Sequence, residues 1–181
     1  MAPKMLNKFS NNSEKRTNHA LAMMRERTQE DDLSDQVKIS NEIYLNADPS
    51  LGLGGRYQSA VGEILSIDAR IPSTGYWIGL HIKLSVRDFS DVGLIGFASR
   101  GHAPEYTIVN PCIRSGTKDG FVDCFFGKHM LLHGNSAQHV DAISIEDRDD
   151  LPDKAPWREL ILFLPTQDFQ LTLTDLRIFV V

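Results

Sequence analysis

The sequence predicts an all-β protein: an antiparallel β-sandwich (jelly roll) of about eight strands, with a short N-terminal tail that is helical or disordered. Three observations carry this. From residue 57 onward apolar and polar residues alternate with period two, as in strands with one face in a core. The breaks hold turn formers, among them Pro72-Ser73-Thr74-Gly75, Ser115 to Gly120 and His133-Gly134-Asn135-Ser136. No helical period of useful length follows residue 40, and the gaps between strands are too short for the crossover helices of a parallel sheet.

The tail comes first in the chain. Residues 1–28 carry Lys4, Lys8, Lys15, Arg16, Arg25 and Arg27 against Glu14 and Glu26, and QEDDLSD then turns acidic. This change of charge near residue 36 sets the expected boundary: residues 1–35 as tail and 36–181 as sandwich. Ser13 is placed to cap a helix over 14–30, with Ala20, Leu21, Met24 and Thr28 as a narrow apolar stripe. Such a stripe suits a frayed, solvated segment or a docking helix for a partner protein.

Leu65, Ile67, Ala69 and Ile71 then alternate with Ser66, Asp68 and Arg70. Tyr76, Ile78, Leu80, Ile82 and Leu84 alternate with Trp77, Gly79, His81 and Lys83. Further strands are expected over 92–99, 106–114, 121–132, 140–145, 158–164 and 169–180. The last has Phe169, Leu171 and Leu173 on one parity and Leu176, Ile178 and Val180 on the other. A bulge near Thr174-Asp175 lets both sets face the core, leaving Asp175 to bond loop backbone. The segment EDRDDLPDKAP reads as a solvated loop. Trp157 behind it either staples that loop to the core or forms the wall of a groove.

Composition narrows the function classes. A net charge of -5 disfavours a protein built to neutralise phosphates. No apolar run approaches the ~18–20 residues of a membrane span, and the first residues lack the apolar region of a secretory signal. A cytoplasmic setting is therefore expected, without nucleic acid or membrane partners. Cys112 and Cys124 read as two reduced thiols, their spacing fitting no zinc motif. There is no phosphate-binding glycine loop and no Gly-x-Ser-x-Gly elbow. Catalysis has no positive support, and no cofactor is expected.

The opening GRYQSAVGEILSIDARI, the following YWIGLHIKL and the closing FQLTLTDLRIFVV resemble the galactose-binding-like jelly rolls of many carbohydrate-binding modules. The stretch Thr174-Asp175-Leu176-Arg177-Ile178 matches the polar-Asp-apolar-basic-apolar pattern of their terminal strand. The resemblance spans roughly residues 57–181 as a pattern of strands. It implies a sandwich, and a carbohydrate ligand as one of its uses. It transfers no ligand residues.

Candidate ligand residues come from the strand pattern itself. Trp77, Gly79, His81 and Lys83 share the face turned away from the first core stripe. There Trp77 either covers the rim of the sandwich or stacks on a sugar, with His81 beside it as a polar partner. Arg100, Arg114, Asp123 and His129 lie in or beside apolar strands, where unpaired charge is costly. Arg114 and Asp123 either pair across a hairpin or, with Arg100 and His129, form a polar face for an acidic or hydroxylated glycan. His129, His133, His139 and Asp141 would suit a metal only if they shared a face, and no metal is expected. The leading expectation is a non-catalytic carbohydrate-binding sandwich, an accessory to polysaccharide synthesis or modification, whose tail contacts a protein partner. The rivals are a structural or assembly jelly roll and a cupin-like metal-dependent enzyme.

Overall fold

Two antiparallel sheets pack face to face in the computed structural model, which describes residues 14–181. In chain order the elements are helix α1 (Lys15–Met24) and strands β1 (Gln29–Asp32), β2 (Gln36–Lys38), β3 (Ile43–Ala47), β4 (Gly54–Ser59), β5 (Leu65–Arg70), β6 (Ile78–Leu84), β7 (Leu94–His102), β8 (Thr107–Thr117), β9 (Gly120–Phe125), β10 (Met130–Leu132), β11 (Ala137–Ser144), β12 (Arg158–Leu164) and β13 (Phe169–Val180). The first sheet runs β1-β4-β5-β13-β7-β11. The second runs β10-β8-β12-β6-β3-β2, with β9 also on β8. The expected jelly-roll sandwich is therefore the observed fold, with thirteen strands in place of about eight.

The additional strands are short. β1 to β4 precede or only touch the region where alternation is legible, and the expected strand over 121–132 is split into β9 and β10. Where alternation is long, it predicts burial. Ile78, Leu80, Ile82 and Leu84 of β6 face Leu160, Leu162 and Leu164 of β12 within the core. The first sheet answers with Leu65, Ile67 and Ala69 of β5 and both parity sets of β13. β13 changes register between Leu173 and Asp175, so Leu173 and Leu176 are both buried. Among the described residues Asp175 bonds no loop backbone, contrary to expectation; it lies 3.6 Å from Arg25 and 3.9 Å from Arg177.

The N-terminal segment is packed on the sandwich from Glu14 onward, so the charge change near residue 36 falls inside the folded unit. β1 pairs with β4 along its length. Leu21 and Met24 of α1 join the core. Asn18 accepts from the Ile178 amide at 2.9 Å and donates to the Ile178 carbonyl at 2.7 Å, imitating a neighbouring strand where β5 no longer reaches β13. The expected cap Ser13 lies outside the described residues, and α1 ends at Met24 rather than residue 30.

The acidic loop before β12 is likewise anchored. Leu151 is buried, Arg148 pairs with Asp150, and the Pro152 and Asp153 carbonyls accept from the buried Arg158 guanidinium. Cys112 and Cys124 occupy register-adjacent positions of opposite parity on β8 and β9. Cys124 enters the core between the sheets while Cys112 points out of it, so a disulfide across this hairpin is geometrically closed. Burial pushes the Cys124 thiol up to about 12.

His139 of β11 turns inward and stacks on Phe97 at 5.3 Å. Burial lowers its pKa below the usual 6.5, against the opposing pull of Asp141 and with help from Lys128. The unfolded chain thus binds this proton more readily than the folded one. Stability should be complete above about pH 6.5 and decline as pH falls below it. Urea unfolding at pH 7.5 and 5.5 should show a smaller decline for His139→Phe than for wild type; equal declines would refute the assignment.

Candidate functional site

The outward side of the second sheet carries three in-register rows. Lys83, Glu159, Arg114 and Asp123 form one across β6, β12, β8 and β9. Tyr44, His81, Ile161, Cys112 and Phe125 form the next, from β3 to β9. Asn46, Gly79, Phe163 and Asn110 form the third. Ile161 and Cys112 are fully buried although they point away from the core. Their covering is lateral: the Phe125 and Phe163 rings stack at 5.8 Å on one side, and Tyr44 and His81 stack at 4.5 Å on the other. A second, smaller apolar layer therefore lies on the outside of the sheet.

Within the charged row, Arg114 and Asp123 neutralise each other. Arg114 Nε and Nη2 donate to the two oxygens of Asp123, each at 2.7 Å. Burial opposes the Arg114 charge, but the bonds and charge of Asp123 outweigh it and raise its pKa. The guanidinium is 3.7 Å from the Phe121 ring centroid and 5.9 Å from that of Phe163. Glu159 accepts from Tyr44 Oη at 2.7 Å and lies 2.9 Å from His81 Nδ1. Burial pushes its carboxyl up, yet the bonds from His81 and Tyr44 and the charges of His81 and Arg114 hold it below the usual range. Burial and the Glu159 carboxylate together push the Tyr44 phenol up.

Beside these rows lies an open cleft of about 620 Å³ lined by Tyr76, Trp77, Tyr106, Asn110, Phe125 and Phe163, among others. Trp77, just before β6, is half-buried. Tyr76 departs from the alternation expected of it: it is 91% exposed rather than in the core. At the far end of β8, the Trp157 indole lies over Gly116, where an added Cβ would meet Nε1 at 2.4 Å. Trp157 thus joins the outward face and covers a glycine too close for any other residue.

The expected site residues divide. Trp77, His81, Arg114 and Asp123 lie on this one face. His129 adjoins it through a ring nitrogen in contact with Asn110 Oδ1. Arg100 does not: it is on β7, paired in register with Gln138 and Asp175, on the outer side of the opposite sheet. It was expected in or beside an apolar strand, but only pairing shows which sheet it joins. His81 is 3% exposed, a wall of the small outer layer rather than an open contact. The histidines do not converge. His133 lies beside Tyr106 and His139 packs on Phe97, and the described residues hold no group of three metal-ligating side chains. The cupin-like enzyme reading loses its ligand set.

Tyr44, Glu159, Phe163, Tyr106, Phe125 and Asn110 were not anticipated as contributors. Glu159 had a readable signal, a lone carboxylate within the apolar run RELILFL. Tyr44 had a weaker one, the short alternation IYLNA.

No protein-family model and no curated protein matches the sequence. Among solved structures, the chain is similar to the CBM22-1 xylan-binding domain from Paenibacillus barcinonensis Xyn10C, with a TM-score of 0.55 and 10% identity over 83% of this chain and 92% of that one. It is also similar to a structure described as "CBM4 structure and function", with a TM-score of 0.52 and 14% identity over 69% and 75% of the two chains. At such identities the likeness is one of fold. The chain has the jelly-roll architecture of carbohydrate-binding modules.

Proposed function

We propose that this protein is a non-catalytic carbohydrate-binding module and that the outward face of its second sheet is the sugar platform. The observation that carries this reading is the convergence of Trp77, Tyr106, Phe125 and Phe163 with Asn110 on one open cleft. Aromatic faces accept the C–H side of a sugar ring, while a fixed amide orients its hydroxyls. The shared fold supports it, since one similar structure is described as a xylan-binding domain. An accessory place beside an enzyme of polysaccharide synthesis or modification fits such a module.

A glycan array that includes xylan, followed by titration of its hits, tests the reading. Losing a stacked indole costs about 1.5–3 kcal/mol, so Trp77→Ala should weaken binding roughly 10- to 100-fold. An affinity unchanged in the variant would reject the platform.

A second reading has its own observation. Tyr76, Tyr106, Ile108 and Leu131 are each about half to nine-tenths exposed near the same cleft, and such a patch also suits an assembly contact. Concentration-dependent self-association abolished by Ile108→Glu, with no glycan bound, would favour an assembly role.

A further inference from the structure

We propose that the cleft between β2, β3 and the end of β6 binds an oxyanion: a carboxylate, sulfate or phosphate group. This cleft, about 690 Å³, opens on the outward face of the second sheet, on the side of Tyr44 away from the aromatic cleft. Lys38, Lys83, Ser40, Asn41 and Asn46 line it with Tyr44, and no carboxylate does. In a chain of net charge -5, that is a local reversal of sign.

The two lysines flank one ring. Lys38 is the cross-strand partner of Tyr44 and shares its face. Lys83 Nζ is 5.9 Å from the Tyr44 ring centroid. Among the described residues neither lysine has a carboxylate within 4 Å. The acids that could quench them are engaged elsewhere. Arg16 Nε donates to Glu42 at 2.9 Å. Glu159, the in-register neighbour of both Lys83 and Arg114, has its carboxylate bonded by Tyr44 and His81.

Donors remain for a ligand. Lys83 Nζ spends one proton on the Asn41 carbonyl at 3.2 Å, leaving two. Ser40 Oγ accepts from the Glu42 and Ile43 amides, bonds that do not use its own proton. An anion entering the cleft meets two ammonium groups without carboxylate partners and neutral donors around them. Arg114 was the residue the sequence offered for an acidic group, but its fork is filled by Asp123. The lysine cleft can do what that arginine cannot.

The anion has two sources, a free oxyanion or an acidic sugar; the second rests on the carbohydrate reading above, the first does not. Sodium sulfate, glucuronate and glucose, each titrated at constant ionic strength, separate them by NMR shifts of residues 36–46 and the Lys83 ammonium. Sulfate and glucuronate should give saturable shifts at these residues and glucose none. Lys38→Gln and Lys83→Gln should each weaken both anions roughly fivefold, and Lys→Arg at either position should restore binding. Glucuronate binding tenfold or more tighter than sulfate assigns the cleft to an acidic sugar; equal affinities assign it to a free oxyanion. Absence of saturable shifts, or shifts unchanged in the double glutamine variant, overturns the proposal. Trp77→Ala leaves the sulfate result unchanged, so failure of the aromatic platform is distinguishable from failure of this cleft.

Discussion

Arg158→Ala should lower the unfolding free energy by about 3–5 kcal/mol and the midpoint of thermal unfolding by roughly 6–20 °C. Arg158 is 1% exposed, and among the described residues its guanidinium makes no ion pair with a carboxylate. It donates instead to the Ser115 hydroxyl and to the carbonyls of Pro152, of Asp153 at 3.0 Å and of Arg87 at 3.5 Å. Its plane lies 3.9 Å from the Phe89 ring centroid. Burial brings its pKa down to about 10, the expected cost of desolvating a cation, against the opposing pull of the Asp153 and Asp88 charges. Alanine would leave a cavity beside Phe89, remove the side-chain donor to the Pro152 carbonyl and untie the two loops that the guanidinium joins. Urea denaturation measures the loss. A change under 1 kcal/mol would mean that those loops are held by other contacts, Leu151 and the Asp88–Lys154 pair among them.

Glu14→Ala should cost about 2–4 kcal/mol, more than an ordinary residue at the start of a helix. Glu14 is fully buried. Its carboxylate accepts from the Ser85 amide at 3.0 Å and the Val86 amide at 2.8 Å, just past the end of β6. Removing it takes the partner from two backbone donors, that of Val86 buried away from water. The same end of the helix is tied by Thr17, whose hydroxyl donates to the Lys83 carbonyl at 2.9 Å. Loosening α1 would also withdraw Asn18 from Ile178 and open the edge of β13. Amide hydrogen exchange should therefore speed up at Ile178 as well as at Val86 in the variant. Faster exchange at Val86 alone would show that α1 stays docked without its carboxylate.

These two residues illustrate what a linear reading reaches. Arg158 begins an apolar run and Glu14 sits in a polar, charged stretch, so neither sequence context signals burial. Glu14 is buried because a segment distant along the chain offers backbone amides that need a partner, and Arg158 because it ties the loop just before it to Ser115 and Arg87, both distant along the chain. Arg114 and Asp123 were legible for the opposite reason: a short turn joins their strands, and counting back from it sets them opposite each other. Arg100 was misplaced because its neighbours in space, β11 and β13, lie far along the chain.

The alternation of Leu65 to Ile71 and of Ile78 to Leu84, the parity change in the last strand and the turn residues between them were enough by themselves to determine a sandwich of antiparallel strands and the inward set of each long strand. Period two assigns side chains to one of two faces and says nothing about which strands adjoin. Pairing alone decided that Tyr44, His81, Glu159 and Arg114 form one polar network, that Trp77 lines a cleft with Phe163 and Tyr106, and that Lys38 and Lys83 share another. The physical reason is that a strand satisfies its hydrogen bonds with any partner of suitable register, whereas a site needs particular side chains side by side. That choice is made by the packing of the whole core.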